Sequence, residues 1–208
     1  MKGIIFTLTF CIFYCVNHAQ ETGNFIDSRD GKAYKTIKIG SQVWMAENIA
    51  YKTNGGCWAY DNKDSNVTIY GYLYTWDSAN RVSPPGWHLP SDEEWKTLEK
   101  SLGMLEIEAN LSGSRGEISN VGGKLKSMSG WNNNIQATDD YGFKALPGGN
   151  YGSNEKAFYF IGQNAMFWTS SFVKNNFAWY RDLHNDDGRI FRGYRSKMLA
   201  FSVRCIKD

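Results

Sequence analysis

The residues of this chain that could carry metal or nucleophilic chemistry are few and widely separated. Beyond residue 20 the sequence has two histidines, His88 and His184, and two cysteines, Cys57 and Cys205. No His-x-x-x-His or Cys-x-x-Cys spacing joins them, which disfavours a zinc site, and no local signature of a thiol enzyme surrounds either cysteine. We interpret His88 as a structural residue bonded to backbone and His184 as an exposed turn residue. The sequence predicts no catalytic residue and no metal centre.

Clusters of Asp and Asn leave calcium open as a cofactor. They are Asp139-Asp140, Asp186-Asp187, and Asp61 with Asp64. Calcium takes six to eight oxygen ligands, which such loops can supply. The same residue types are also the usual turn formers, because their side chains bond their own backbone. We favour turns, and nothing fixes two carboxylates at the separation that glycoside hydrolysis needs.

Aromatic residues are the stronger sign of a binding surface, since Trp and Tyr combine a flat apolar face with a polar tip. Most of them are expected to fill the core, whereas Trp131 and Tyr151, set among Gly and Asn, are expected to be exposed. We predict that any ligand meets the loops at 131–141 and 148–162. The candidate ligand-binding residues are Trp131, Asn133, Asp139, Asp140, Asn150, Tyr151 and Asn154.

One helix can be placed with its boundaries. Ser91 is a natural N-cap, and Glu94 three residues later completes a capping box. Trp95, Leu98 and Leu102 then recur at helical spacing, and Gly103 offers a stop. The spacing predicts an amphipathic helix over 91–102.

The remaining elements are mainly strands. Alternation predicts a strand at 33–39. We also expect strands at 43–48, 142–147, 166–172, 177–183, 189–194 and 200–206. A helical segment is expected at 71–80 and a short helix near 124–128, while 49–70 and 109–123 look irregular. A turn at 184–188 should join two strands, because Asp-Gly is a strong hairpin signal.

The N-terminus is predicted to be a signal peptide over residues 1–19. Lys2 supplies the positive charge, residues 3–16 are almost wholly apolar, and Ala19 precedes the expected cleavage site. The apolar run is shorter than the ~20 residues of a membrane span, so we expect no transmembrane anchor after cleavage. The whole chain has a formal net charge of +2. That balance excludes electrostatic steering toward nucleic acid.

A series of ordered motifs gives the chain a family resemblance. The pieces are Asp30–Tyr34, Gln42–Asn48, Gly56–Tyr60, Tyr70–Trp76, Gly86–Trp95, Gly142–Gly149, Phe167–Ser171 and Phe201–Cys205. The set resembles the Fibrobacter succinogenes major paralogous domain. It divides the chain into the signal peptide, an N-terminal segment at 20–28 and the domain at 29–208. The motif tryptophans Trp44, Trp87, Trp95 and Trp168 are expected in the core.

The resemblance implies an α+β fold, a C-type-lectin-like domain with short antiparallel strands, two short helices and long loops. It implies no catalytic activity. Calcium-binding lectin triplets are absent, since Trp131-Asn132-Asn133 only approximates Trp-Asn-Asp. Relatives often have a cysteine where this chain has Ser83. Two outcomes therefore stay open, a disulfide between Cys57 and Cys205 or two free thiols.

The resulting expectation is a secreted, periplasmic or cell-surface protein that binds a glycan or an envelope protein without catalysis. A structural component of an envelope complex is the alternative. An enzyme of the formylglycine-generating type, which shares the general fold, is the third reading and lacks the reactive cysteine pair.

Overall fold

A computed structural model describes residues 20–208 of the chain. The predicted signal peptide at residues 1–19 lies outside the described residues. The strands are β1 (Thr22–Ile26), β2 (Ala33–Ile39), β3 (Gln42–Met45), β4 (Cys57–Trp58), β5 (Leu73–Thr75), β6 (Trp87–His88), β7 (Gly113–Arg115), β8 (Gly148–Gly152), β9 (Ala157–Ile161), β10 (Asn164–Lys174), β11 (Phe177–His184), β12 (Ile190–Ser196), β13 (Ala200–Phe201) and β14 (Ile206–Lys207). The helices are a 3-10 turn (Tyr60–Asn62), α1 (Asp64–Tyr70), α2 (Trp76–Ala79), α3 (Asp92–Ser101), α4 (Glu106–Ala109) and α5 (Val121–Leu125).

Two sheets dominate this α+β architecture. The first has strand order β1-β2-β3-β14-β6, and the second has order β4-β5-β13-β8-β10-β11-β12-β7, with β9 added to β8. Neighbouring strands run antiparallel except β8 and β10, which are parallel. The α+β prediction is confirmed. The structure has more short helices than the two expected: α2 lies within the predicted helical segment at 71–80, whereas α1 and α4 form in segments that carry no strong capping signal.

Helix α3 begins as the sequence predicts. Ser91 Oγ accepts a hydrogen bond from the Glu94 amide, and the Glu94 side chain accepts one from the Ser91 amide. These reciprocal bonds satisfy two amides that a helix start leaves unpaired. Trp95 and Leu98 on its buried face are fully enclosed. The helix therefore serves as a fixed support for the sheets.

Strand β2 follows the predicted alternation of buried and exposed positions, whereas the segments at 71–75, 142–147 and 200–206 depart from the predicted structure. Residues 71–75 are not helical: Leu73–Thr75 is strand β5, which pairs with β4 and β13. Residues 142–147 form no strand, and only Ala145 makes an isolated bridge, with Lys126. The predicted strand at 200–206 divides into β13 and β14, which lie in different sheets.

The core is aromatic, as expected for the motif tryptophans. Trp44, Trp87, Trp95 and Trp168 are all buried. Trp44 and Trp95 lie 5.1 Å apart between ring centroids, and Trp168 stacks on Phe201 at 4.2 Å. Offset and tilted arrangements of this kind stabilise a core beyond their buried area.

A buried ionic network joins α3 to the second sheet. Arg181 on β11 donates to Asp92 at 2.7 Å and to Glu99 at 2.5 Å. Arg192 on β12 donates to Asp92 at 2.6 Å, and Arg115 on β7 donates to Glu99 at 2.9 Å. The arginines outweigh the effect of burial and lower the pKa of Asp92 to about 2. These bonds fix which face of β11 is turned toward the helix.

The N-terminal segment at 20–28 takes part in the first sheet, because β1 pairs antiparallel with β2. Within residues 20–208, no helix has the length and apolar character required to cross a membrane.

Candidate functional site

A cleft of about 440 Å³ lies on the second sheet, on the face of β11 that is turned away from α3. Tyr180, Asp182 and His184 line it from β11, at alternate positions of the strand. Asn164 and Met166 line it from β10, in register with His184 and Asp182. Successive side chains of a strand point to opposite faces. Arg181, between Tyr180 and Asp182, therefore reaches the ionic network instead.

The floor of the cleft contains a hydrogen-bonded group around Asp182. Asn164 Nδ2 donates to both carboxylate oxygens, at 3.1 and 3.0 Å, and His184 Nε2 lies 3.1 Å from Oδ2. Burial raises the pKa of Asp182, while the hydrogen bond with Asp182 raises the pKa of His184. The carboxylate is thus held in place by its neighbours, with its acceptor oxygens at the cleft floor.

Asn150 on β8 is the feature that distinguishes this cleft. Its side chain is 6% exposed, and its Oδ1 atom has no hydrogen-bond partner. A buried acceptor without a partner costs about 1–3 kcal/mol, so its retention in the cleft lining requires an explanation. Among the candidate residues predicted from sequence, Asn150 is the one that lines the cleft.

The remaining walls mix apolar and charged groups. Phe201 lies at the floor and Phe160 at the rim, where its side chain is 48% exposed. Arg195 and Asp186 are exposed at the opening and carry opposite charges. The cleft thus offers apolar faces together with both hydrogen-bond donors and acceptors.

The predicted exposure of Trp131 and Tyr151 is wrong. Trp131 is 9% exposed, and its Nε1 donates to Ser127 Oγ at 3.1 Å. Tyr151 is 8% exposed and stacks on Trp58 at 4.4 Å. Tyr151 is buried because the glycine-rich segment around it forms strand β8 in the middle of the sheet, where a loop was expected. Both rings belong to the core.

The other candidate residues lie outside the cleft. Asn133, Asp140 and Asn154 are exposed, the last in the turn between β8 and β9. Asp139 is half-buried and accepts a hydrogen bond from the Lys144 amide at 3.0 Å. This bond is turn chemistry, as the sequence favoured for the aspartate clusters.

A buried lysine holds the loops beside the cleft. Lys126 is fully buried, and its Nζ donates to the carbonyl oxygens of Ile135 at 2.6 Å, His184 at 3.1 Å and Asp187 at 2.8 Å. The same ammonium lies 5.3 Å from the Trp131 ring centroid. Carbonyl oxygens converging on one positive charge resemble the ligand set of a bound cation, and here the chain supplies that charge itself.

The structure gives little support to a calcium site at the aspartate clusters. Within residues 20–208, no group of three or more His, Cys, Asp or Glu side chains is placed to hold a metal ion. A second cleft, of about 400 Å³, lies beside β1 and β2 and is lined by Lys35, Thr36 and Lys144. None of the buried unpartnered side-chain atoms of the described residues belongs to its lining.

One known protein family matches most of this chain. The Fibrobacter succinogenes major domain matches residues 37–207. The chain belongs to that family. No curated protein and no solved structure matches it.

In this Fibrobacter major domain, the motif histidine has a different role from the one predicted. His88 bonds to two side chains, with Nε2 2.8 Å from Glu94 Oε1 and Nδ1 2.6 Å from Asp208 Oδ1. Burial lowers the pKa of His88, but the hydrogen bonds to Asp208 and Glu94 outweigh it and raise the pKa. The histidine ties the end of the chain to the start of α3.

Cys57 and Cys205 are both free, so of the two outcomes left open by the sequence the structure has the free thiols. Cys205 Sγ lies 3.3 Å from Ser83 Oγ. Cys57 Sγ instead contacts the Thr53 carbonyl oxygen at 3.6 Å. Burial raises the pKa of Cys205 to about 12, which keeps its thiol protonated at neutral pH.

Sequence reasoning missed most of the cleft. Asp182 carried a signal, because it lies with Arg181 in the interior of a strand whose other residues are mostly apolar or aromatic. His184 was assigned to a turn, although it is the last residue of β11. Asn164 carried no signal, because its role depends on the register between β10 and β11.

Proposed function

We propose that the protein is a non-catalytic binding module with a C-type-lectin-like fold, acting outside the cytoplasm at the bacterial cell surface, where it recognises a glycan or a protein through the cleft on β8, β10 and β11. The observation that carries the proposal is the buried, unpartnered Asn150 Oδ1, on a residue that lines the same cleft as Asp182. A ligand that donates a hydrogen bond there removes the cost of the unsatisfied acceptor.

Binding is favoured over catalysis by the chemistry of the candidate groups. The Cys205 thiol is buried with a pKa of about 12, whereas a nucleophilic cysteine needs a lowered pKa. Asp182 already accepts hydrogen bonds from Asn164 and lies against His184, an arrangement that fixes the carboxylate in position. The export expected from residues 1–19 and the family's lectin-like character support a role at the cell surface.

The test compares the wild type with Asn150→Ala and Asp182→Asn in a glycan array and in a pull-down from the native envelope. Loss of one hydrogen bond of about 1.4 kcal/mol weakens binding about tenfold. Asn154→Ala is the matched control, since Asn154 lies on the adjoining turn, exposed and outside the cleft. If Asn154→Ala weakens binding as much as Asn150→Ala, the cleft is not the binding site.

A structural role in an envelope complex is the second candidate, and one surface favours it. Leu105, Ile107, Leu111 and Ile118 are exposed by 67%, 76%, 56% and 102% within one short segment. Exposed apolar side chains grouped in this way are typical of protein interfaces. Replacing Ile107 and Ile118 with Ser should abolish recovery of an envelope partner in cross-linking, whereas Asn150→Ala should not affect it.

A further inference from the structure

The rim of the cleft holds a backbone conformation that bulky residues rarely adopt. Phe160 has φ of +65°, in the left-handed region, and its ring is 48% exposed. For a residue with a large side chain this conformation is strained by about 1–3 kcal/mol and persists only where the surroundings impose it. Burial of the Phe160 ring does not explain this conformation, since about half of the ring lies in solvent.

The strand beside Phe160 imposes the conformation. Gly149 on β8 also has positive φ, +64°, and a Cβ there would lie 2.2 Å from the Tyr159 carbonyl oxygen and 3.0 Å from the Phe160 carbonyl carbon. Only glycine permits this close approach of the two backbones. Gly149 directly precedes Asn150. The close approach of the two backbones at Gly149 therefore positions both the exposed ring of Phe160 at the rim and the unpartnered side-chain amide of Asn150 at the floor.

The polar groups of the cleft define which ligand can satisfy them. Asn150 Oδ1 and the Asp182 carboxylate accept hydrogen bonds, whereas Arg195 donates them. An ionised carboxylate or sulfate group donates no hydrogen bond, so that group cannot pair with Asn150 Oδ1 and would meet the charges of Asp182 and Asp186. Hydroxyl groups donate and accept at once.

We infer that the cleft binds an uncharged sugar ring, stacked on Phe160 and donating a hydroxyl hydrogen bond to Asn150 Oδ1, without a metal ion. The inference rests on the proposed function and narrows its ligand to a neutral glycan. Phe160 supplies the flat apolar face that the C–H side of a sugar ring packs against. Asp182, Arg195 and Gln163 surround the same space and suit further hydroxyl groups.

The test probes the full mature protein with an array of neutral hexose and pentose oligosaccharides, uronate-containing and sulfated oligosaccharides, and peptides. Titration calorimetry with and without EDTA then measures the affinity for the tightest neutral oligosaccharide. Neutral oligosaccharides should bind in either condition. Phe160→Ala should weaken binding at least about tenfold, as expected for a central aromatic contact.

Tyr159→Ala is the matched control, because Tyr159 is the adjacent residue, is 38% exposed and lies outside the cleft lining. Its affinity should stay within about twofold of the wild type. The variant Phe160→Gly separates a binding role of the Phe160 ring from a structural role. It should lose binding while its thermal midpoint equals or exceeds that of the wild type, because glycine adopts positive φ without strain.

Several results would overturn the inference. A lower thermal midpoint in Phe160→Gly would make the ring structural. Binding restricted to anionic oligosaccharides or to peptides, or abolished by EDTA, would exclude a neutral, metal-free sugar site and leave the broader binding function standing. If no probe binds, the sugar assignment fails, and the envelope pull-down decides the proposed function separately.

Discussion

Lys126 allows the sharpest test of how the loops around the cleft are held. The change is Lys126→Met, which keeps an apolar side chain of similar length and removes the ammonium. In the wild type that ammonium bonds to the carbonyl oxygens of Ile135, His184 and Asp187. These carbonyl oxygens belong to two loops, 131–140 and 184–188, that contain no helix or strand over most of their length.

The expected magnitude follows from those three bonds. An acceptor left without a partner in a buried place costs at least about 1 kcal/mol, so three carbonyl oxygens give about 3 kcal/mol of lost unfolding free energy. For a domain of this size each kcal/mol lowers the midpoint by about 2–4 °C, which predicts a decrease of about 6–12 °C. Lys124→Met on the preceding helix is the control. Its Nζ has one carbonyl partner, Leu102 at 2.7 Å, and the expected loss is about 1 kcal/mol.

Urea unfolding of both variants measures the difference, and hydrogen exchange locates it. Amides at 131–140 and 184–188 should exchange faster in Lys126→Met only. EDTA should leave the wild-type midpoint unchanged, because the positive charge among these carbonyls belongs to the chain. The reasoning is refuted if Lys126→Met destabilises no more than Lys124→Met, or if EDTA unfolds the loops of the wild type.

Three further predictions concern the scaffold. Ser83→Cys should form a disulfide with Cys205, since the two side chains are already in contact at 3.3 Å; thiol titration should find one free cysteine, and unfolding should be harder by at most about 4–5 kcal/mol, with Ser83→Ala as control. His88→Gln should flatten the pH dependence of stability: the raised pKa of His88 contributes stability below its ordinary value of 6.5, and this contribution is lost as pH rises through the folded-state pKa. If the unfolding midpoint of the wild type does not fall as the pH rises from 6.5 through the folded-state pKa of His88, the prediction is contradicted. Trp131→Ala and Tyr151→Ala should each cost about 3–5 kcal/mol as core deletions; near-native thermal midpoints would show that these rings are dispensable to the core.

The sequence predicted those elements whose determinants are local. Helix α3 was predicted with its capping box because Ser91 and Glu94 form that motif within four residues. Strand β2 was predicted with its bounds because alternation of buried and exposed positions is itself the cause of the strand's placement.

Elements that depend on distant partners were not predictable in this way. Residues 148–152 consist largely of glycine and resemble a loop, yet they form β8 because β13, β10 and β9 surround them. The predicted exposure of Tyr151 failed for that reason. Residues 142–147 were expected to be a strand and form none, since within this segment only Ala145 makes a bridge, with Lys126.

The location of the motifs explains why family membership predicts the scaffold better than the site. Asp92 lies within the motif at 86–95, and through Arg181 it fixes the orientation of β11. That orientation turns Tyr180 and Asp182 toward the cleft, although neither residue belongs to a motif. Asn150 directly follows the motif at 142–149, whose last glycine permits the close approach of β9. The motifs therefore build the frame and supply Phe201 at the cleft floor, whereas Asn150, Tyr180 and Asp182 come from positions outside them. The ligand must therefore be argued from the side chains that line the cleft of this chain.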